Sequence, residues 1–136
     1  MKIILDANAA PEIGERTQNG ALFLNVIMNS EGVMAPELYV YEISNTMWKY
    51  ARKDKNNAEK YLEAVRVYTG YINDFVSSTN LWPEALKLAT EYDHPVYDMF
   101  YAALAHRHNA MLITMDKKLR KICEQIPIRC VKLAGE

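Results

Sequence analysis

Short apolar runs alternate along this chain with longer amphipathic stretches. Residues 3–5, Ile-Ile-Leu, are continuously apolar and end on Asp6, the mark of a short strand buried on both faces. Residues 9–14 read as a loop. Leu22, Val26 and Ile27 recur at helical spacing and predict a helix over 15–29, weakened at Gly20 and stopped by Gly32. A second short strand is expected over 33–35, ended by Pro36. Leu38, Tyr41, Asn45 and Trp48 recur at steps of three and four and predict a helix over 37–52 with these residues on one side, beside Glu42. Another amphipathic helix is expected over 57–68, carrying Tyr61, Leu62 and Val65 and broken at Gly70. Residues 71–81 read equally as a short helix or as a strand near Phe75 and Val76. Pro83 suits the first turn of a helix running to Tyr92, and Pro95 opens a further one through Asn109. Ala102, Ala103 and Ala105 let that last helix approach a sheet closely. A strand over 111–115, a helix capped by Asp116 and running to Gln125, and a final strand over 128–133 complete the order.

Strands alternating with helices predict a parallel sheet covered on both faces through right-handed crossovers. The expected class is α/β: a three-layer α/β/α sandwich with a central, mostly parallel sheet of four to five short strands. The 136 residues contain no repeat or linker and are expected to form a single domain. Half of them are hydrophobic, so the chain can bury enough surface to fold without disulfide or metal. No apolar run approaches the roughly 18 residues of a membrane helix. The opening run is too short for the core of a signal peptide, and the sequence reads as that of a cytoplasmic protein. Cys123 and Cys130 match neither a zinc pattern nor a redox pair and read as reduced structural thiols.

Charge narrows the chemistry. The net charge of −1 gives no global field to gather nucleic acid, so a polyanion must be held by a local basic patch or by a metal. Two acids follow strands directly: Asp6 after the first, Asp116 after the strand over 111–115. In an open parallel sheet this is the ligand-binding edge. Two more interrupt apolar stretches: Glu42 within Leu38-Tyr39-Val40-Tyr41-Glu42-Ile43, and Asp98 within Val96-Tyr97-Asp98-Met99-Phe100-Tyr101. A carboxylate buried in such a place needs a partner. Each also has a plain structural alternative, a turn residue at Asp6, a helix cap at Asp116 and an exposed acid at Glu42 and Asp98. Four acids meeting on one edge would repel one another, and without a cation some would stay protonated at neutral pH. Oxygen-only ligands suit Mg²⁺ or Mn²⁺, and such an ion can orient a water, lower its pKa and stabilise charge at a phosphodiester.

At these residues the sequence resembles the PIN domain and, within it, toxin ribonucleases of the VapC type. The resemblance covers nearly the whole chain. It is carried by Ile3-Ile4-Leu5-Asp6-Ala7-Asn8, by Ala35-Pro36-Glu37-Leu38 followed by Tyr41-Glu42-Ile43-Ser44-Asn45, by Tyr97-Asp98-Met99-Phe100-Tyr101-Ala102, and by Leu112-Ile113-Thr114-Met115-Asp116. It implies that Asp6, Glu42, Asp98 and Asp116 form an acidic metal site, with Asp6 and Asp98 the most direct ligands. It implies an endoribonuclease that uses Mg²⁺ or Mn²⁺, forms homodimers and is inhibited by a small antitoxin encoded beside it. Asn8 and Asn45 look like amides supporting the ligands, and Thr114 like the family's hydroxyl residue ahead of the last acid. Lys117 and Lys118 stand where many relatives carry a further acid.

Candidate contacts with RNA are Lys49, Arg52, Lys53 and Lys55 after Glu42, and Lys117, Lys118, Arg120 and Lys121 after Asp116; ordinary solvated helix surface is the alternative. Tyr39, Tyr41, Trp48, Tyr50, Tyr61, Tyr68 and Tyr71 concentrate seven aromatic rings in one quarter of the chain and mark a candidate interface for a second copy or an antitoxin. Two other catalytic classes fit poorly. A doubly wound phosphatase wants a second aspartate where Asn8 stands, and a receiver domain wants a lysine where Met115 follows Thr114. The five glycines form no phosphate-cradling cluster, which counts against a nucleotide-binding oxidoreductase. The main rival is a catalytically inactive PIN-like module that binds RNA or protein. The three histidines suggest no mechanism of their own, and His94, before Pro95, reads as a turn residue.

Overall fold

A computed structural model describes residues 1–136. Four short strands, β1 (Ile3–Leu5), β2 (Val33–Pro36), β3 (Asp74–Val76) and β4 (Met111–Ile113), form one sheet in the order β3-β2-β1-β4, with every pairing parallel. Seven helices flank it: α1 (Ala10–Gly14), α2 (Gln18–Met28), α3 (Leu38–Ala51), α4 (Ala58–Thr69), α5 (Trp82–Tyr92), α6 (Val96–His108) and α7 (Lys117–Gln125). This is the expected α/β/α sandwich, with four strands and an entirely parallel sheet. No helix is long and apolar enough to cross a membrane.

The central strand explains the apolar run at the start. Ile3, Ile4 and Leu5 are all buried, because β1 has a strand on each edge and helices on each face. On α6, every residue from Tyr101 to Ala105 is buried, and the three alanines let the helix lie against β1, β2 and β4. Asp93 and Asn109 end α5 and α6 in the left-handed conformation, which a short polar side chain tolerates. Register sets the ligand edge. Leu5 pairs with Ile113, and the Asp6 N–H donates to the Ile113 carbonyl at 2.9 Å. Asp6 and Thr114 therefore leave the sheet side by side.

Several local expectations are corrected. Residues 9–14 are not a loop: a 3-10 turn at Ala7–Ala9 runs into α1, with Pro11 in its first turn. The next helix starts only at Gln18, because Thr17 caps it by accepting the Gly20 N–H and Arg16 adopts a positive φ. The inward stripe of α3 is Tyr39, Ile43 and Met47, not Leu38, Tyr41, Asn45 and Trp48. Three of the four rings on this helix, Tyr41, Trp48 and Tyr50, are exposed and only Tyr39 is buried, so spacing alone selected the wrong side. Tyr39 is the ring that enters the core, where its hydroxyl donates to the Tyr68 carbonyl at 2.6 Å.

The ambiguous stretch 71–81 supplies edge strand β3 and then a 3-10 turn at Ser78–Asn80. β4 stops at Ile113 rather than Met115, because the Asn8 side chain takes the Met115 N–H at 3.0 Å. The strand expected over 128–133 reduces to one parallel bridge between Leu112 and Cys130. Beyond it Arg120 holds the Val131 carbonyl at 2.9 Å, and Glu136 takes the Leu133 N–H at 2.9 Å, so side chains replace the ladder.

Candidate functional site

The four singled-out acids come from four separate elements. Asp6 follows β1, Glu42 lies on α3, Asp98 in the first turn of α6, and Asp116 caps α7. The two strand-end acids share one hydroxyl. Thr114 Oγ1 donates to Asp6 Oδ2 at 2.8 Å and accepts the Asp116 N–H at 3.1 Å. Asn8 braces the same turn from the other side. Its N–H points to Asp6 Oδ1 at 3.4 Å, its Nδ2 reaches Thr114 Oγ1 at 3.3 Å, and its Oδ1 holds Met115. Asp6 is only 3% exposed and Thr114 is fully buried. Asp116 also serves as a helix cap, since its Oδ1 accepts the Lys118 and Leu119 N–H groups at 2.9 and 3.2 Å. The structural reading of Asp116 from sequence and its place beside the other acids therefore hold together.

Asp98 has a partner that sequence reading assigned only to a turn. His94 Nε2 lies 2.8 Å from Asp98 Oδ2 across the start of α6, and ligand atoms of His94, Asp98 and Asp116 all fall within 4.8 Å of one another. The available signal was the four-residue spacing that spans Pro95, which brings the residue before a helix back over its first turn. Glu42 is half-buried, and Tyr101 donates to its Oε1 at 2.7 Å. Asn45 is exposed and its amide bonds to none of the four acids. Lys49, Arg52, Lys53, Lys117 and Lys118 are exposed, with Arg52 stacked over Trp48 at 4.9 Å. Arg120 is engaged with Val131 and Glu136, so its guanidinium is tied to the C-terminal segment.

The electrostatics connect the acids. Burial pushes the Asp6 carboxyl up to about 8; the charges of Glu42 and Asp98 add to this, while the bonds from Thr114 and Asn8 oppose it. Glu42 is raised by burial and then by Asp98, against the bond from Tyr101. Asp98 is raised by burial and by Asp116, against its contact with His94. Asp6, with its proton retained to about pH 8 and Glu42 and Asp98 shifted in the same direction, lies in a setting short of positive charge. The donors there, carboxylate oxygens with one imidazole at the rim, fit a hard divalent cation such as Mg²⁺ or Mn²⁺.

The sequence profile of the PIN domain matches residues 3–125, a span that contains all four strands and all four acids. Ribonuclease VapC3 of Pyrobaculum aerophilum is 25% identical over 122 residues, covering 88% of this chain and 92% of that protein. The crystal structure of PAE2754 from Pyrobaculum aerophilum superposes with a TM-score of 0.73 at 20% identity, covering 90% of this chain and 84% of that one. A toxin–antitoxin complex from Klebsiella pneumoniae gives a TM-score of 0.62 at 16% identity, covering 85% and 88%. The structural likenesses carry the fold. The profile, matching most of the chain, carries the family: this chain belongs to the PIN domain family.

Proposed function

We propose that this chain is a divalent-metal-dependent endoribonuclease and the toxin of a toxin–antitoxin pair. What supports the reading is that the charges of Glu42 and Asp98 act on Asp6 and that of Asp116 on Asp98, while ligand atoms of Asp98 and Asp116 lie within 4.8 Å of each other and of His94. Likeness to Ribonuclease VapC3 supports RNA as the substrate. In this reading Asp6 and Asp98 hold Mg²⁺ or Mn²⁺ directly, and Glu42 and Asp116 complete the site. Thr114 and Asn8 fix the Asp6 carboxylate, Thr114 also accepts the Asp116 backbone N–H, and the Lys118 and Leu119 N–H groups hold the Asp116 carboxylate. The bound ion would supply Lewis acidity and a water of lowered pKa toward the phosphodiester. The chain's own residues fix the carboxylates in place, and the bound cation would relieve their mutual repulsion. Lys117 and Lys118, exposed beside Asp116, are the contacts this reading assigns to RNA phosphates.

The antitoxin's place in this reading is a groove of about 510 Å³ between α3 and α4, lined by Met47, Trp48, Tyr61, Leu62 and Val65 among others. The Klebsiella complex shares this fold, and an apolar groove of this kind suits an amphipathic partner segment. Of the seven rings singled out from sequence, Tyr39 and Tyr68 are buried in the core, while the exposed rings of Tyr41 and Tyr50 suit a homodimer.

The deciding experiment is cleavage of single-stranded RNA by the purified chain in Mg²⁺ or Mn²⁺, with EDTA and with Asp98→Asn. Activity should vanish in EDTA and fall by roughly a hundredfold or more in the variant, whose unfolding stays cooperative. Cleavage that persists in EDTA overturns the metal assignment. RNA binding without cleavage under every metal condition selects the inactive binding module instead.

A further inference from the structure

Glu42 differs from the other acids in how it is held. Asp6 accepts from both Thr114 and Asn8, and Asp116 from two cap N–H groups, whereas the Glu42 carboxylate accepts a single hydrogen bond, from a residue 59 positions away. That donor, Tyr101, is fully buried on α6. It lies three residues after Asp98, hence on the same side of the helix. One ring therefore reaches the Glu42 side chain from the helix that carries Asp98.

We propose that Tyr101 is a positioning residue of the acidic site. Its hydroxyl occupies Glu42 Oε1, fixes the torsions of a long, otherwise untethered side chain, and leaves Oε2 as the one oxygen Glu42 offers the cleft. The inference rests on reading Glu42 as a cation ligand. A purely packing role for Tyr101 needs the ring but not the hydroxyl, and Tyr101→Phe separates the two.

The test titrates the purified full chain with Mn²⁺, reading the free ion by its electron paramagnetic resonance signal, beside thermal unfolding. Tyr101→Phe should bind Mn²⁺ about tenfold more weakly while unfolding cooperatively, the size typical of losing a group that orients a ligand. Added to Glu42→Gln, it should weaken binding no further, because both changes remove one interaction. Undiminished affinity in Tyr101→Phe beside a weakened Glu42→Gln overturns the positioning role and leaves the cation site standing. Fully additive losses also overturn it. A wild-type chain that binds no Mn²⁺, or a Glu42→Gln that binds as wild type, overturns the reading of the site and this inference together. The unaltered chain gives a check that needs no variant. The Tyr101 hydroxyl proton should exchange slowly and show a nuclear Overhauser contact to the Glu42 side chain, and its absence in a well-dispersed spectrum overturns the proposal.

Discussion

At the β1–β4 edge Asp6 is buried, with a donor on each of its oxygens, while on the α3–α4 hairpin Trp48 and Leu62 are 54% and 55% exposed. The two regions lie on the same small molecule and spend their side chains in opposite ways. At the sheet edge, Thr114 and Asn8 fix carboxylates that like-charge repulsion would otherwise drive apart. Along the hairpin, apolar side chains line a groove that nothing in the chain fills. The first arrangement is preorganised for a small, hard ligand, and the second is suited to a large, soft one. The difference teaches that exposure of apolar groups and burial of charged ones are both departures from the usual partition, and each points to a different partner.

The contrast is broken most forcefully at the hairpin. Replacing Trp48 and Leu62 together by Ala should weaken antitoxin binding by roughly a hundredfold, because an aromatic anchor such as Trp48 dominates such interfaces and Leu62 adds apolar contact beside it. Calorimetry with the small protein encoded beside the gene measures this. The same change should alter folding stability by less than about 1 kcal/mol, since both side chains are mostly in solvent already. Retained affinity would move the antitoxin to another face.

A smaller effect sharpens the acidic side. Unfolded, Asp6 loses its proton near pH 4; folded and metal-free, it keeps it to about pH 8. The folded state therefore binds the extra proton across this window, so stability falls as pH rises from 4 to 8. Glu42 and Asp98 are shifted in the same direction. Urea midpoints of the metal-free chain should drop by the equivalent of about 1–3 kcal/mol between pH 5 and pH 8, and Mn²⁺ should restore them at the upper end. Stability that climbs over that interval would contradict the shared repulsion.

The smallest effect lies beside Asp116, at the start of α7. A Lys117→Ala, Lys118→Ala pair should lower the salt dependence of RNA binding by a slope of about 1–1.5, as expected for two contacts to a single strand. An unchanged slope removes this patch from the RNA path and leaves the acid cluster untouched.

Much of this was legible along the chain. Ile3, Ile4 and Leu5 announced a strand buried on both faces, and the acid after it marked the ligand edge, because a continuous apolar run has few other uses at this length. Pro83, Pro95 and Asp116 stand at the helix starts, where backbone chemistry is local. The final strand was illegible because Arg120 and Glu136, not periodicity, decide where its backbone groups bond. The inward side of α3 was illegible because its rings occur on both sides, and only packing against Tyr68 selects Tyr39.

By itself, then, the sequence determined the alternation of short strands with longer helices and the parallel sheet, and it singled out four acids, because each depends on residue type and near neighbours. The tertiary structure alone decided which residues hold those acids. His94 reaches Asp98 across a proline, Thr114 sits 108 positions from Asp6 and bonds to it, and Tyr101 reaches Glu42 from another helix. Such pairings depend on strand register and helix crossing, which bring distant segments within hydrogen-bond reach and leave no periodic trace in the chain.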